Sequence, residues 1–168
     1  MNPLHLDPDR RGMPIAEWPL ADRAVWQAAL MPGDLLDEGG IRARYAPDTN
    51  TKLAKNYGRW LTWLSRQGLL DGPASPAERI TPERVKAFVA DMARVNATGT
   101  LLARLQALYE MAQILDGGWD WQWIRRIEAS VRSRHVPAGS KRERLVSAAD
   151  LLGLGCALMA EVPARSTE

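Results

Sequence analysis

On a helical wheel at about 100° per residue, Lys52, Lys55, Arg59, Thr62 and Arg66 fall within about 80° of one another. No acidic residue lies between Lys52 and Arg66, so four cations and a hydroxyl line one side of a helix. That set suits the holding of a polyanion by its phosphates. Charge supplies affinity, and guanidinium and hydroxyl groups supply hydrogen bonds. The same pattern also suits a helix face that is only solvated, which is the commoner fate of a charge run.

Further groups bear on the choice. Thr98, Thr100 and Arg104 open another helical stretch, and a helix N-terminus with hydroxyls can seat a phosphate or simply cap itself. The segment Arg125 to Arg144 holds seven Lys/Arg and two Glu, with His135 among them. Its cations Arg132, Arg134, Lys141, Arg142 and Arg144 can lie along a duplex and displace counterions, or can belong to an interdomain linker. Trp119, Trp121 and Trp123 alternate with polar residues at the opening of a helix. Core packing explains that run better than base stacking does. Trp63 falls near the basic side of its helix and is the aromatic expected to be exposed there.

Catalytic constellations are missing from the pattern. His5 and His135 sit in loop-like segments without metal-ligand partners, and neither is followed by Arg three residues on. No Gly-rich phosphate loop, nucleophile triad or proton-transferring carboxylate pair can be placed. The sequence therefore gives no reason to expect a cofactor or a metal. Cys156, the sole cysteine, excludes an internal disulfide and lies in an apolar helix, where a structural role is expected.

The elements that must position these groups read as helices throughout. Pro19 to Met31 predicts a short helix, ended by Pro32-Gly33. Residues 32–47 read as a linker. A long helix follows, with Asp48 or Thr49 as its cap and Leu53, Tyr57, Trp60, Leu61 and Leu64 on its apolar side. Gly68 sits where a left-handed stop belongs, and Leu69 can fold back on Leu64. Thr81 and Pro82 begin a third helix, stapled by Ile80 and Val85. A fourth starts near Thr98 or Thr100 and buries Leu101, Leu105, Leu108, Ala112 and Leu115. A fifth is expected to take Asp120 as cap, with Trp119 and Ile124 as staple and Ile127 and Val131 inside, and to end at Pro137. A last, apolar helix begins near Ser147 and carries Leu151, Leu152, Leu154, Leu158 and Met159. No segment alternates as a strand does. The expected fold class is all-α: a small orthogonal bundle of about four to five helices plus a short N-terminal helix and a C-terminal apolar helix.

The 168 residues carry a formal net charge of only +2, so total charge does not announce a nucleic-acid binder. Its distribution is more informative. Residues 1–48 hold 5 basic and 8 acidic side chains, residues 49–116 hold 9 and 6, and residues 117–168 hold 8 and 6. An acidic arm thus precedes a basic body, which points to a polyanion partner. The N-terminus has no signal-peptide pattern, and no apolar run reaches the roughly 18 residues of a membrane span. A cytoplasmic protein is expected, nucleoid-associated when bound to DNA.

The run YAPDTNTKLAKNYGRWLTWLSRQGLLD, then PASPAERITPERVKAFV, then TLLARLQALYEMAQI and DWQWI, resembles the N-terminal core-binding domain of tyrosine recombinases, the phage-type integrases. The likeness covers roughly residues 19–136. It implies a bundle of about four helices on one side of duplex DNA, with a catalytic domain closing on the other. It also implies DNA-facing roles for the second and fourth helices, hence for Lys52, Lys55, Arg59, Arg66, Thr100 and Arg104. The family's catalytic Arg, Lys, His-x-x-Arg and nucleophilic Tyr cannot be carried onto this sequence. Tyr45, Tyr57 and Tyr109 all lie within or before the binding bundle. The expected organisation is an arm with a short helix over residues 1–47, a core-binding domain over 48–136, a basic linker over 137–146 and the start of a truncated catalytic domain over 147–168. Double-stranded DNA is the expected partner, with other recombinase subunits meeting the last helix. Such a chain would be catalytically incompetent alone. A helical protein-interaction module without a DNA role, or a remnant without function, remain the alternatives.

Overall fold

A computed structural model describes residues 12–34, 38–70, 74–134, 151–154 and 156–157. The chain divides into two units, Met1–His135 and Val136–Glu168. The first contains a 3-10 turn at Ile15–Glu17 and five α-helices: α1 (Leu20–Leu30), α2 (Pro47–Arg66), α3 (Pro82–Ala93), α4 (Thr98–Leu115) and α5 (Gln122–Ser133). There is no strand among the described residues. The protein is all-helical, as the 3.6-residue periodicity requires.

The helix ends follow local chemistry. Thr81 caps α3 by accepting the Arg84 N–H at 3.3 Å, and Pro82 takes the first-turn position, where a missing N–H costs nothing. Gly68 adopts φ 65°, and α2 closes with two bonds, Gly68 N–H to Ser65 O at 3.0 Å and Leu69 N–H to Leu64 O at 2.9 Å. Those two bonds make a Schellman ending, and they satisfy carbonyls that the helix leaves over. One expected start differs. Pro47, assigned to the linker, is the first residue of α2, and Ala46 precedes it without a side-chain cap. Pro47 supplies φ near −65° and lacks an N–H in need of capping, so Asp48 and Thr49 fall inside the first turn. The fourth helix begins at Thr98, as expected, with Ala97 at the cap position and no side-chain cap. Asp120 lies just outside α5 and accepts the Gln122 N–H at 2.8 Å.

The central pair is α2 and α4. α2 buries Leu53, Ala54, Tyr57, Gly58, Trp60, Leu61, Trp63 and Leu64. α4 packs against α1, α2, α3 and α5. Aromatic rings fill the space around Trp60, which stacks on Trp63 at 5.3 Å and meets the edge of Phe88 at 5.3 Å. Three polar side chains share this interior. Asp22 of α1 is fully buried, accepts the Tyr57 hydroxyl at 2.6 Å and pairs with Arg79. Arg79 also donates to Leu70 O at 3.3 Å. Buried charges persist only when paired and hydrogen-bonded, and this pair ties α1, α2 and the α2–α3 connection together.

In the second unit, residues 151–154 and 156–157 are helical. Leu151, Leu152 and Leu154 are exposed, and so is Cys156. The proposed start of this helix at Ser147, and its residues Leu158 and Met159, lie outside the described residues.

Candidate nucleic-acid interface

The apolar side of α2 turns inward, so the opposite side must face out. Lys52, Lys55 and Arg66 are exposed there, and Arg59 is half-buried between them. Among the described residues, neither Lys52 nor Lys55 enters an ion pair. Thr62 is different. The N-terminal segment crosses α2 at this point, and the Met13 N–H donates both to Gly58 O and to Thr62 Oγ1, each at 2.9 Å. Thr62 in turn donates to Gly58 O at 2.8 Å. Trp18, buried, fixes the far end of the strap through its Nε1–H to Met13 O at 3.0 Å.

Gly58 makes the crossing possible. A Cβ at that position would collide with the Met13 carbonyl oxygen, far inside the 3.0 Å that real Cβ atoms respect. Gly12, at the start of the strap, lies so close to α2 that its own Cβ would sit 2.9 Å from Lys55 O and 3.1 Å from Arg59 Cγ. The basic side is therefore divided. Lys52 and Lys55 lie on one side of the strap, Arg59 flanks it, and Arg66 lies beyond it.

The placement of Trp63 overturns the expected exposure. It is 5% exposed, stacks on Trp60 and donates its Nε1–H to Asp91 at 2.9 Å. A wheel position at the edge of the apolar stripe leaves a residue as large as tryptophan free to lean inward, and Asp91 satisfies its polar edge. Arg104 is likewise buried, with NH1 2.7 Å from Met92 Sδ. It lies only about 60° from the Leu101–Leu105–Leu108 stripe, so its stem is carried into the interior. Thr100 is exposed as expected. In the tryptophan run, Trp121 is buried and Trp123 packs against the core. Trp119 is 49% exposed and stacked on Trp121 at 5.5 Å.

Contacts at the helix ends orient α2 against α4. Arg42, in the α1–α2 connection, donates to Asn50 in the first turn of α2 at 3.1 Å and to Glu110 of α4 at 3.3 Å. At the other end, Trp63 and Arg104 meet the adjacent residues Asp91 and Met92 of α3. The two helices run antiparallel, which brings Arg66 and Thr100 to one end of the bundle and Lys52 to the other.

Arg132 on α5 and Arg134 at its C-cap are exposed, and Arg132 donates to Glu128 at 2.6 Å. Lys141, Arg142 and Arg144 lie outside the described residues. Sequence reasoning missed Arg125, which donates to Glu128 at 2.9 Å and to Gln106, and whose guanidinium lies 4.6 Å above the Tyr109 ring. The i−3 and i+4 spacing of two arginines around Glu128 was the available signal. Among the described residues, no three His, Cys, Asp or Glu side chains gather as a metal site would need, and no helix is long and apolar enough to cross a membrane. Comparison with family models, with curated proteins and with solved structures gives no match.

Proposed function

We propose that the helical body holds duplex DNA through its phosphates, as the gripping domain of a tyrosine-recombinase-like protein acting in site-specific recombination or DNA integration. In this reading strand cleavage belongs to a catalytic domain and not to these helices. One observation carries the proposal: Lys52, Lys55 and Arg66 are exposed along the outer side of α2, with Arg59 half-buried among them. Thr100 at the first turn of α4, Arg132 on α5 and Arg134 at the α5 C-cap add exposed donors. The sequence resemblance supplies the recombinase context. Contacts of this kind position a duplex without reading its sequence, so affinity falls steeply with salt. Trp63 and Arg104 act as core residues in this account.

Fluorescence anisotropy with a labelled generic duplex over a salt series tests the reading. A linear fall of log affinity with log salt is expected, with a slope of about −0.9 per phosphate contact. Arg59→Ala should weaken binding to every sequence and flatten that slope by about one contact. A slope unchanged in Arg59→Ala removes α2 from the interface, and no binding at low salt ends the DNA reading.

A second reading has its own observation. Leu151, Leu152 and Leu154 are exposed on one short helical stretch, as a protein-interaction module would present them. Concentration-dependent self-association without salt-sensitive DNA retention favours that reading.

A further inference from the structure

We propose that Arg125 and Arg132 form a paired phosphate clamp on α5, held in shape by Glu128 as a positioning residue. The inference rests on the duplex-binding reading and assigns it a contact that the basic side of α2 does not include.

Glu128 divides its carboxylate between the two arginines. Oε2 accepts from Arg125 NH1 at 2.9 Å and Oε1 accepts from Arg132 NH2 at 2.6 Å. The Glu128 side chain is 8% exposed, whereas the arginine side chains are 42% and 67% exposed. The anion is thus withdrawn beneath two cations that face solvent. The inward bonds of the cluster use Arg125 NH1 and Arg132 NH2, and the other guanidinium nitrogens remain as donors. Arg125 is fixed further by Gln106 and by its seat over Tyr109. Tyr109 is itself held by Gln113 at 3.3 Å and Gln122 at 3.1 Å.

Two guanidiniums and one carboxylate leave one net positive charge on a pre-ordered pair of planar forks. Planar forks match phosphate oxygens two at a time, and ordering them in advance reduces the entropy lost on binding. The two pairs satisfy the buried Glu128 charge, while the exposed guanidiniums themselves gain little stability from them. The polar chain also continues from Gln106 to Glu110 at 2.8 Å and on to Arg42 at 3.3 Å, so it spans α4 from the start of α2 to α5.

Simple charge and positioning predict opposite signs, which makes the inference testable with the full chain and a fluorescent duplex. Glu128→Gln removes a negative charge. If Glu128 only neutralises, the variant binds more tightly. If Glu128 positions the pair, binding weakens by about threefold to tenfold despite the added positive charge, with the helical circular-dichroism spectrum unchanged. Arg125→Lys keeps the charge at an exposed position that the fold tolerates, and loses only the planar fork. It should bind about threefold to tenfold more weakly than the parent. Full affinity in Arg125→Lys, or tighter binding by a folded Glu128→Gln, overturns the clamp while leaving the DNA reading intact. A parent chain that does not bind duplex at low salt overturns both.

Discussion

Gly58→Ala should destabilise the protein, although the same change inside an ordinary helix stabilises it. Glycine within a helix costs about 1 kcal/mol relative to alanine, so propensity alone favours the variant. Against this stands the strap. The new methyl would meet the Met13 carbonyl oxygen, a backbone atom that no rotamer change can move aside. Relief requires the strap to lift. Lifting breaks the Met13 N–H bonds to Gly58 and Thr62 and the Trp18 bond to Met13. Each such bond contributes about 1 kcal/mol net. It also returns part of the Trp18 surface to water, and full burial of a large apolar side chain is worth about 1.5–3 kcal/mol. After the propensity gain, a net loss of about 2–3 kcal/mol is expected, or a fall in Tm on the order of 5–10 °C. Urea and thermal unfolding followed by far-ultraviolet circular dichroism measure it. The control is the same substitution in a chain lacking residues 1–18. With no carbonyl above the helix, alanine there should stabilise by about 1 kcal/mol. A stabilising effect in the full chain, or equal effects in both backgrounds, would refute the steric account.

Asp22→Asn or Arg79→Met should each cost about 3–5 kcal/mol, because one partner of a buried ion pair is left without its counter-charge; an unchanged urea midpoint in both variants contradicts that. Burial first, and the Asp22 carboxylate second, raise the Tyr57 pKa well above its ordinary value. The unfolded chain therefore loses this proton near its ordinary pKa of about 10 while the folded chain keeps it. Stability is fully present below that pH and falls as the pH rises above it, by up to about 1.4 kcal/mol per pH unit. Tyr57→Phe should flatten this part of the profile, and an unaltered alkaline limb would show that Tyr57 is not responsible. Trp63→Ala should lower stability by about 3–5 kcal/mol. Loss of DNA affinity with an intact unfolding midpoint would instead restore Trp63 to the surface. Cys156, being exposed, should react stoichiometrically with a thiol reagent in native buffer, and protection until denaturant is added would contradict its placement.

What could be read from the sequence was local. The left-handed Gly68 and the Thr81–Pro82 start each depend on a few neighbouring residues and are present in the fold, and Ile80 and Val85, read as a staple, are both buried. The start of α2 was misplaced because Pro47 and Asp48 are both good first-turn residues, and only the backbone decides between them. Trp63 and Arg104 were misplaced for a related reason. A wheel assigns a direction to Cα–Cβ, but a long side chain at the border of the stripe goes where a cavity and a partner await it. The strap was beyond reach altogether. Its evidence in the sequence is a single glycine within a helix, and its partner lies 45 residues earlier.

The buried Asp22–Arg79 pair also sets an order of events during synthesis. The two residues are 57 positions apart, and Tyr57 follows Asp22 by 35. At about 5–20 residues per second, Asp22 is made some 3–11 seconds before Arg79. Throughout that interval the Asp22 carboxylate lacks its counter-charge, and burying it would be costly. The first helix to be made therefore lacks its buried counter-charge until the α2–α3 connection exists, and a ribosome that pauses just before Arg79 lengthens that wait by the length of the pause.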